Sequence, residues 1–369
     1  MARILALGIL TLVTTFSLIQ PLWAKNELRV MSYNVENLFD TAHDEGKSDW
    51  DFLPKGYPGK KEGCLTKSPK YRAACLNGDW TEDKLRLKLD QIKKVVLQGE
   101  RPDILAIEEV ENEVVLKRLA QTLGFDQYVL EEGPDHRGID VALLYDSSSA
   151  NYISHRVHRF KGDEFDQKPT RDILGVYFQL DSQNVLAVYV NHWPSQAAPA
   201  TKRFKVAQEL KNMMEEDRQK YGKNFHGIAT GDFNTVDSDW PHPHKGVLES
   251  RAWKNYLLDL RELAEDRGSL KNGQPLGTYF FPPKMSWNYL DKFFVTQNLF
   301  DKNGVEVVLS SFNVRAPEFA ADTYEYRRKN LPLYGSKVSG VPLRYNHKAT
   351  SATKAGFSDH YPIEMRIKY

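Results

Sequence analysis

The chain has little cysteine, no surplus of either charge, and no long apolar run after its first two dozen residues. Cys64 and Cys75 are the only cysteines in 369 residues, and they lack the further soft ligands of a structural zinc site. A total of 50 Lys and Arg stands against 49 Asp and Glu, for a net charge of +1. That balance excludes the electrostatic footprint of a dedicated nucleic-acid binder, though not an enzyme that grips one phosphate locally. Beyond residue 24 no stretch approaches the roughly 20 apolar residues of a spanning helix. There is no serine elbow, no internal repeat and no linker-like segment. One domain is expected, at a length that large α/β folds reach.

What is present begins at the N-terminus. Arg3 is the only charge before Lys25, an apolar stretch runs from Ile4 to Ile19, and Ala24 precedes the polar sequence. This pattern reads as a secretory signal peptide over residues 1–24, followed by a single domain over 25–369. Leu22 is large for the minus-three position, so an uncleaved N-terminal anchor is the alternative. The expected address is secreted or periplasmic, and the expected state is a monomer with no stable protein partner. In an oxidising compartment Cys64 and Cys75 would close a small loop by a disulfide, worth roughly 2–3 kcal/mol on the loop-entropy model.

Apolar patterning supplies the elements. Leu28 to Tyr33 alternates and predicts a first strand ending at Asn34. Residues 40–79 are rich in Gly, Pro, Lys and Asp without apolar periodicity, and are expected to form a long loop insertion. Thr81 offers an N-cap, and Leu85, Leu89, Ile92 and Val96 follow at helical spacing. Ile104 to Ile107 predicts a buried strand running into Glu108-Glu109. Val114 to Leu123 and Thr201 to Tyr221 predict helices. Strands are expected at 140–145, 185–190, 227–230, 293–295 and 363–367. Strands and helices so interspersed argue for an α/β or α+β core with two sheets.

Polar groups recur at the ends of these strands: Asn34, Glu109, Asn191-His192, Asp232 with Asn234, Asp291, and Asp359-His360. Carboxylates and amides are hard oxygen donors that suit Mg2+, with Mn2+ or Ca2+ as alternatives. Such a set serves phosphate-ester hydrolysis: a metal neutralises non-bridging oxygens, a base orients water, and an acid protonates the departing oxygen.

Six short strings, in order, carry a resemblance to the endonuclease/exonuclease/phosphatase family. Met31 to Phe39 (MSYNVENLF) resembles its opening motif, and Ile107-Glu108-Glu109-Val110 its acidic metal motif. Asn191-His192-Trp193-Pro194-Ser195, Gly231-Asp232-Phe233-Asn234, Trp287 to Asp291 and Ser358 to Ile363 are similar to the later four. The resemblance spans essentially the whole mature chain. It implies a four-layer α/β/β/α sandwich with two packed mixed sheets and the site at one edge. It gives Glu109 as principal metal ligand, Asp359 beside the same cation and Glu36 as an additional ligand. Asn34 and Asn234 would hydrogen-bond the scissile phosphate or the metal shell. Asp232 would orient or activate water, and His360, braced by Asp291, would stabilise the developing charge or act as base. His192 would be the general acid, as in pancreatic-type deoxyribonucleases. Arg137 and Arg171 are candidates for a phosphate clamp, each with an ordinary ion pair as its alternative. Thr278-Tyr279 could line the site or belong to the core.

The expected function is a secreted, metal-dependent phosphodiesterase acting on nucleic acid, DNA or RNA, and DNase-like in its endonucleolytic cutting. The alternatives are a phospholipid (sphingomyelinase-like) or inositol-phosphate hydrolase, and a non-catalytic binding protein on the same fold. Tyr324, Tyr326 and Arg327 to Lys329 could meet nucleic acid, although a solvated loop is the ordinary reading of such a run. His242, His244 and His347 match no motif and are expected on solvated loops.

Overall fold

The computed structural model describes residues 27–302, 304–329 and 331–369; the proposed signal peptide lies outside them. Strands β1 (Glu27–Leu38), β2 (Ile104–Val110), β3 (Gln127–Leu130) and β4 (Asp140–Tyr145) come first. Next are β5 (Asn151–His158), β6 (Ile173–Gln179), β7 (Val185–His192), β8 (Phe225–Asp232) and β9 (Leu258–Asp259). The rest are β10 (Tyr279–Phe281), β11 (Ser286–Asn288), β12 (Asp291–Val295), β13 (Glu306–Val307), β14 (Asn313–Val314), β15 (Ala321–Glu325), β16 (Lys337–Pro342) and β17 (Ile363–Lys368).

Two large mixed sheets result. One has the order β13-β17-β1-β2-β4-β3, with β14 also on β17; the other has the order β5-β6-β7-β8-β12-β9. Both contain a parallel pair, β1 with β2 and β7 with β8, among antiparallel neighbours. The inner faces pack together through Val30, Ala106, Leu143, Val176, Val188, Phe293 and Met365. Helices cover the outer faces. The amphipathic α3 (Glu82–Val96) and α4 (Glu113–Leu123), preceded in the chain by the short α1 (Lys60–Thr66) and α2 (Pro69–Asn77), lie on the first sheet. They bury Leu85, Leu89, Ile92, Leu116 and Leu119 against Leu105, Ile107 and Leu144. After α5 (Asp163–Gln167), the long α6 (Ala200–Tyr221) sets Val206, Leu210 and Met213 on Tyr177, Tyr189 and Ala229 of the second. This is the four-layer α/β/β/α sandwich. Burial on both faces is why the central strands read as nearly continuous apolar runs. Among the described residues no helix is long and apolar enough to cross a membrane.

Two expectations need correction. Residues 40–79 are not structureless: α1 and α2 form there and are joined by a Cys64–Cys75 disulfide with a Cα–Cα distance of 5.6 Å. Helix α2 exposes most of its length, so it has almost no apolar stripe for a sequence reading to find. The second correction concerns His244. It is buried against Trp193, Phe233 and Phe294 rather than solvated, and His347 is half-buried between Phe52 and Trp80.

Candidate active site

The inward rows of the sandwich change character at one edge. On β7 the row Leu186, Val188, Val190 continues to His192, and on β8 Ile228 and Thr230 lead to Asp232. On β12, read backwards, Val295 and Phe293 lead to Asp291; on β1, Leu28, Val30 and Ser32 lead to Asn34. A period of two therefore sends all four polar side chains into the same end of the inter-sheet space. Register brings them abreast, with His192 opposite Asp232 on parallel strands and Asp291 opposite Asp232 on antiparallel ones.

Glu109 breaks this rule in a useful way. Leu105 and Ile107 face the helices, so alternation alone would turn Glu109 outward as well. A bulge between Glu108 and Val110, with Glu109 at φ 66°, ends the alternation and leaves its side chain lining the cavity. Gly231 is required for a different reason. Its φ is 126°, and a Cβ there would lie 1.9 Å from the Asn191 carbonyl oxygen. Only glycine lets β8 approach β7 so closely.

The resulting cavity, about 770 Å³, is lined by Glu109, Arg137, Arg171, His192, Asp232, Asn234, Asp359 and His360, with Tyr279 beside His360. Asn234 donates to Asp232 from its backbone N–H (2.8 Å) and from Nδ2 (2.9 Å), and Asn34 Nδ2 donates to the same carboxylate at 3.3 Å. His360 Nδ1 and Asp291 Oδ2 are 2.8 Å apart, while His360 Nε2 lies 3.9 Å from Asp232. His192 Nε2 sits between Glu109 (3.7 Å) and Asp232 (3.6 Å). Arg171 is buried; it donates to the Trp193 carbonyl at 2.6 Å and reaches Asp135 at 3.5 Å. Arg137 is half exposed and folds onto the same Asp135. Asn34 and Asp291 stand behind the cavity wall and brace Asp232 and His360. Glu36 does not line the cavity but stands behind Asp359: its carboxylate accepts from Arg344 (3.0 and 2.8 Å), whose Nη2 also reaches Asp359, and from the Tyr345 N–H (2.9 Å).

Electrostatics separate the imidazoles. Burial, reinforced by Arg171 and Arg137, holds His192 well below the usual imidazole range, so it is neutral. Burial also opposes charge on His360, but Asp291 and Asp232 outweigh it and hold that ring well above the usual range. Burial pushes Asp232 up to about 7, against the pull of the His360 charge. Beneath them Glu108 accepts from Ser32 Oγ at 2.8 Å and leaves its second oxygen without a hydrogen-bond partner. Burial and the nearby Asp291 hold Glu108 well above the usual carboxylate range.

Among the described residues no three His, Cys, Asp or Glu side chains are grouped to hold a cation without other donors. Magnesium asks for less, being commonly held by one or two carboxylates with waters and substrate oxygens. Glu109 and Asp359, both opening on the cavity, fit that requirement.

Three residues with a bearing on the site have no motif behind them. Arg344 spans Glu36 and Asp359, reaching the latter at 3.1 Å. Lys88 is fully buried, donates to the Glu36 and Phe357 carbonyls (3.2 and 3.1 Å), and is lowered by burial to about 8. Its signal was available, since a lysine stood among Leu85, Leu89 and Ile92 on the apolar stripe. Trp240, two residues beyond the lining residue Ser238, gave none.

The layers and the rim chemistry define a phosphoester hydrolase. The chain belongs to the Endonuclease/Exonuclease/phosphatase family, whose sequence profile matches residues 29–369. Members hydrolyse phosphoester bonds and typically use divalent metals such as Mg2+. Solved structures share the fold at low identity. A family protein from Bacteroides thetaiotaomicron is 16% identical, with a TM-score of 0.52 over 92% of this chain and 94% of its own. Truncated TDP2 of Caenorhabditis elegans is 14% identical, with a TM-score of 0.50 over 93% and 98%. The Bacteroides thetaiotaomicron mannosyl-6-phosphatase Bt3783 is 16% identical, with a TM-score of 0.50 over 93% and 100%. No curated protein matches the sequence significantly.

Proposed function

We propose that the chain is an exported, metal-dependent phosphodiesterase that cuts nucleic acid, DNA or RNA, as an endonuclease. The observation that carries the reading is the meeting of His192, Asp232 and the His360–Asp291 pair with Glu109 and Asp359 around one cavity. Glu109 and Asp359 would hold the cation, which when bound supplies positive charge to the non-bridging phosphate oxygens. Asp232, held in place by Asn34 and Asn234 and poised near neutral pH, orients water and takes its proton. The His360 imidazolium, fixed by Asp291, faces the charge that develops on the phosphoryl oxygens. Arg171 and Arg137 add guanidinium groups at the wall. Burial holds His192 neutral, and an arriving phosphate anion raises its proton affinity toward general-acid work.

The test is incubation of residues 25–369 with supercoiled plasmid, single-stranded RNA, sphingomyelin vesicles and a sugar phosphate, with Mg2+ and then with chelator. Nicked plasmid or cut RNA only in the presence of metal is the expected result. Intact nucleic acid under every metal condition, with phosphocholine or inorganic phosphate released instead, would overturn the reading.

A further inference from the structure

We propose that Trp240 is a stacking platform for a nucleobase flanking the scissile phosphate, an inference that rests on the nuclease reading above. Its side chain is 87% exposed, more than any other large apolar residue described. A lone exposed apolar residue needs no explanation in general. Trp240 differs because of what holds it. Asp239, immediately before it, is buried and gripped by the buried Arg203 through Nε (3.0 Å) and Nη2 (2.7 Å). The same guanidinium donates from Nη1 to the carbonyls of Pro194, Ser195 and Ala198 at 3.3, 3.0 and 3.1 Å. Gln196 Nε2 completes the tie, donating to the Asn234 carbonyl (2.5 Å) and to Asp239 (3.2 Å).

One buried arginine thus fastens together two cavity-wall segments, Ser195 to Ala197 and Val236 to Ser238. Trp240 follows two residues after Ser238, at most about 7 Å along the backbone. Trp240 is therefore carried within a few ångströms of the cavity wall by backbone that has little freedom to lose when a ligand arrives. A flat aromatic surface beside a phosphodiester site matches the one flat apolar group that a nucleic acid carries next to each phosphate, its base, and base–aromatic stacking tolerates any sequence. A lipid surface fits less well. Asp237 and Ser238, which line the cavity and precede Trp240 in the chain, are acidic and polar, where a membrane-inserting rim would be apolar or basic.

The experiment compares the parent chain, Trp240→Ala and Trp240→Phe on two single-stranded oligonucleotides with Mg2+. One is fully thymidine; the other carries abasic sites on both sides of the cut. Trp240→Ala is expected to raise KM for the base-bearing strand about tenfold, the worth of one stack, with kcat within twofold. Trp240→Phe should retain most of the parent affinity, and on the abasic strand all three chains should agree. A KM unchanged in Trp240→Ala, or raised equally on both strands, overturns the stack while leaving the nuclease reading intact. A parent chain that cuts neither strand overturns the stack on single-stranded nucleic acid; one that also leaves plasmid and RNA intact overturns the nuclease reading, and with it the base as partner. Tryptophan-dependent binding to anionic vesicles, with no effect on oligonucleotide KM, would overturn the assignment in favour of a lipid.

Discussion

Replacing Gly231 with alanine should damage stability and catalysis together, because the glycine sets the separation of the two strands that carry His192 and Asp232. The added Cβ would fall 1.9 Å from the Asn191 carbonyl oxygen, in a backbone conformation with φ 126°. Relief requires β7 and β8 to part by about 1 Å, since real contacts of a Cβ essentially never fall below 3.0 Å. The dihedral strain is worth about 1–3 kcal/mol and overpacking a further 1–3, giving a destabilisation of about 2–6 kcal/mol. Asp232 is the next residue, and its distances to His192 (3.6 Å) and His360 (3.9 Å) leave no room for such a displacement. Misplacement on this scale lowers kcat by about 100-fold. Urea unfolding followed by circular dichroism gives the first quantity, and initial rates at saturating Mg2+ give the second. Gly124→Ala is the control: its φ is 77° but nothing lies within 4 Å, so only about 1 kcal/mol should be lost, with kcat unchanged. A Gly231→Ala protein as stable as the parent and within threefold of its rate would refute the reasoning.

Other outcomes follow from the same geometry. Asp232 is pushed up by burial to about 7 and must be ionised to act as base, so kcat/KM should fall about tenfold per pH unit below that value. A pH profile flat from 8 to 5 would remove Asp232 from that role. Replacing Cys64 and Cys75 by serine opens the disulfide between them and should lower unfolding stability by about 2–3 kcal/mol with kcat unchanged, as read by urea titration. Arg344 forms an ion pair with Asp359 at 3.1 Å from a largely exposed side chain. Its removal should tighten Mn2+ binding by about twofold to fivefold, the scale of an exposed ion pair. Weaker binding in Arg344→Ala would contradict the placement of Asp359 beside the cation.

The central strands were legible because burial on both faces writes them as short apolar runs. The residue that ends each run, Asn34, His192 or Asp232, marked the edge where the inter-sheet space opens. Helix α3 was legible from one stripe, yet Lys88 within that stripe passed unnoticed because lysine is ordinarily exposed. Strand β5, exposed or half-buried throughout, has no apolar row to read. The reach of Arg344 to Asp359, and the presentation of Trp240, depend on chain segments brought together only by folding. The same holds for Glu36, whose carboxylate is held near Asp359 by the sequence-distant Arg344 and by the Tyr345 N–H. Residues 1–26 lie outside the described structure, so export rests on their composition alone.

The most direct measurement is calorimetric titration of Mn2+ into the parent chain and into Glu109→Ala and Asp359→Asn, with Asp40→Asn as an acidic control outside the cavity. The account predicts a site in the parent that weakens at least tenfold in each of the first two and is unchanged in the control. Equal affinity in all four proteins would place the cation elsewhere and contradict it.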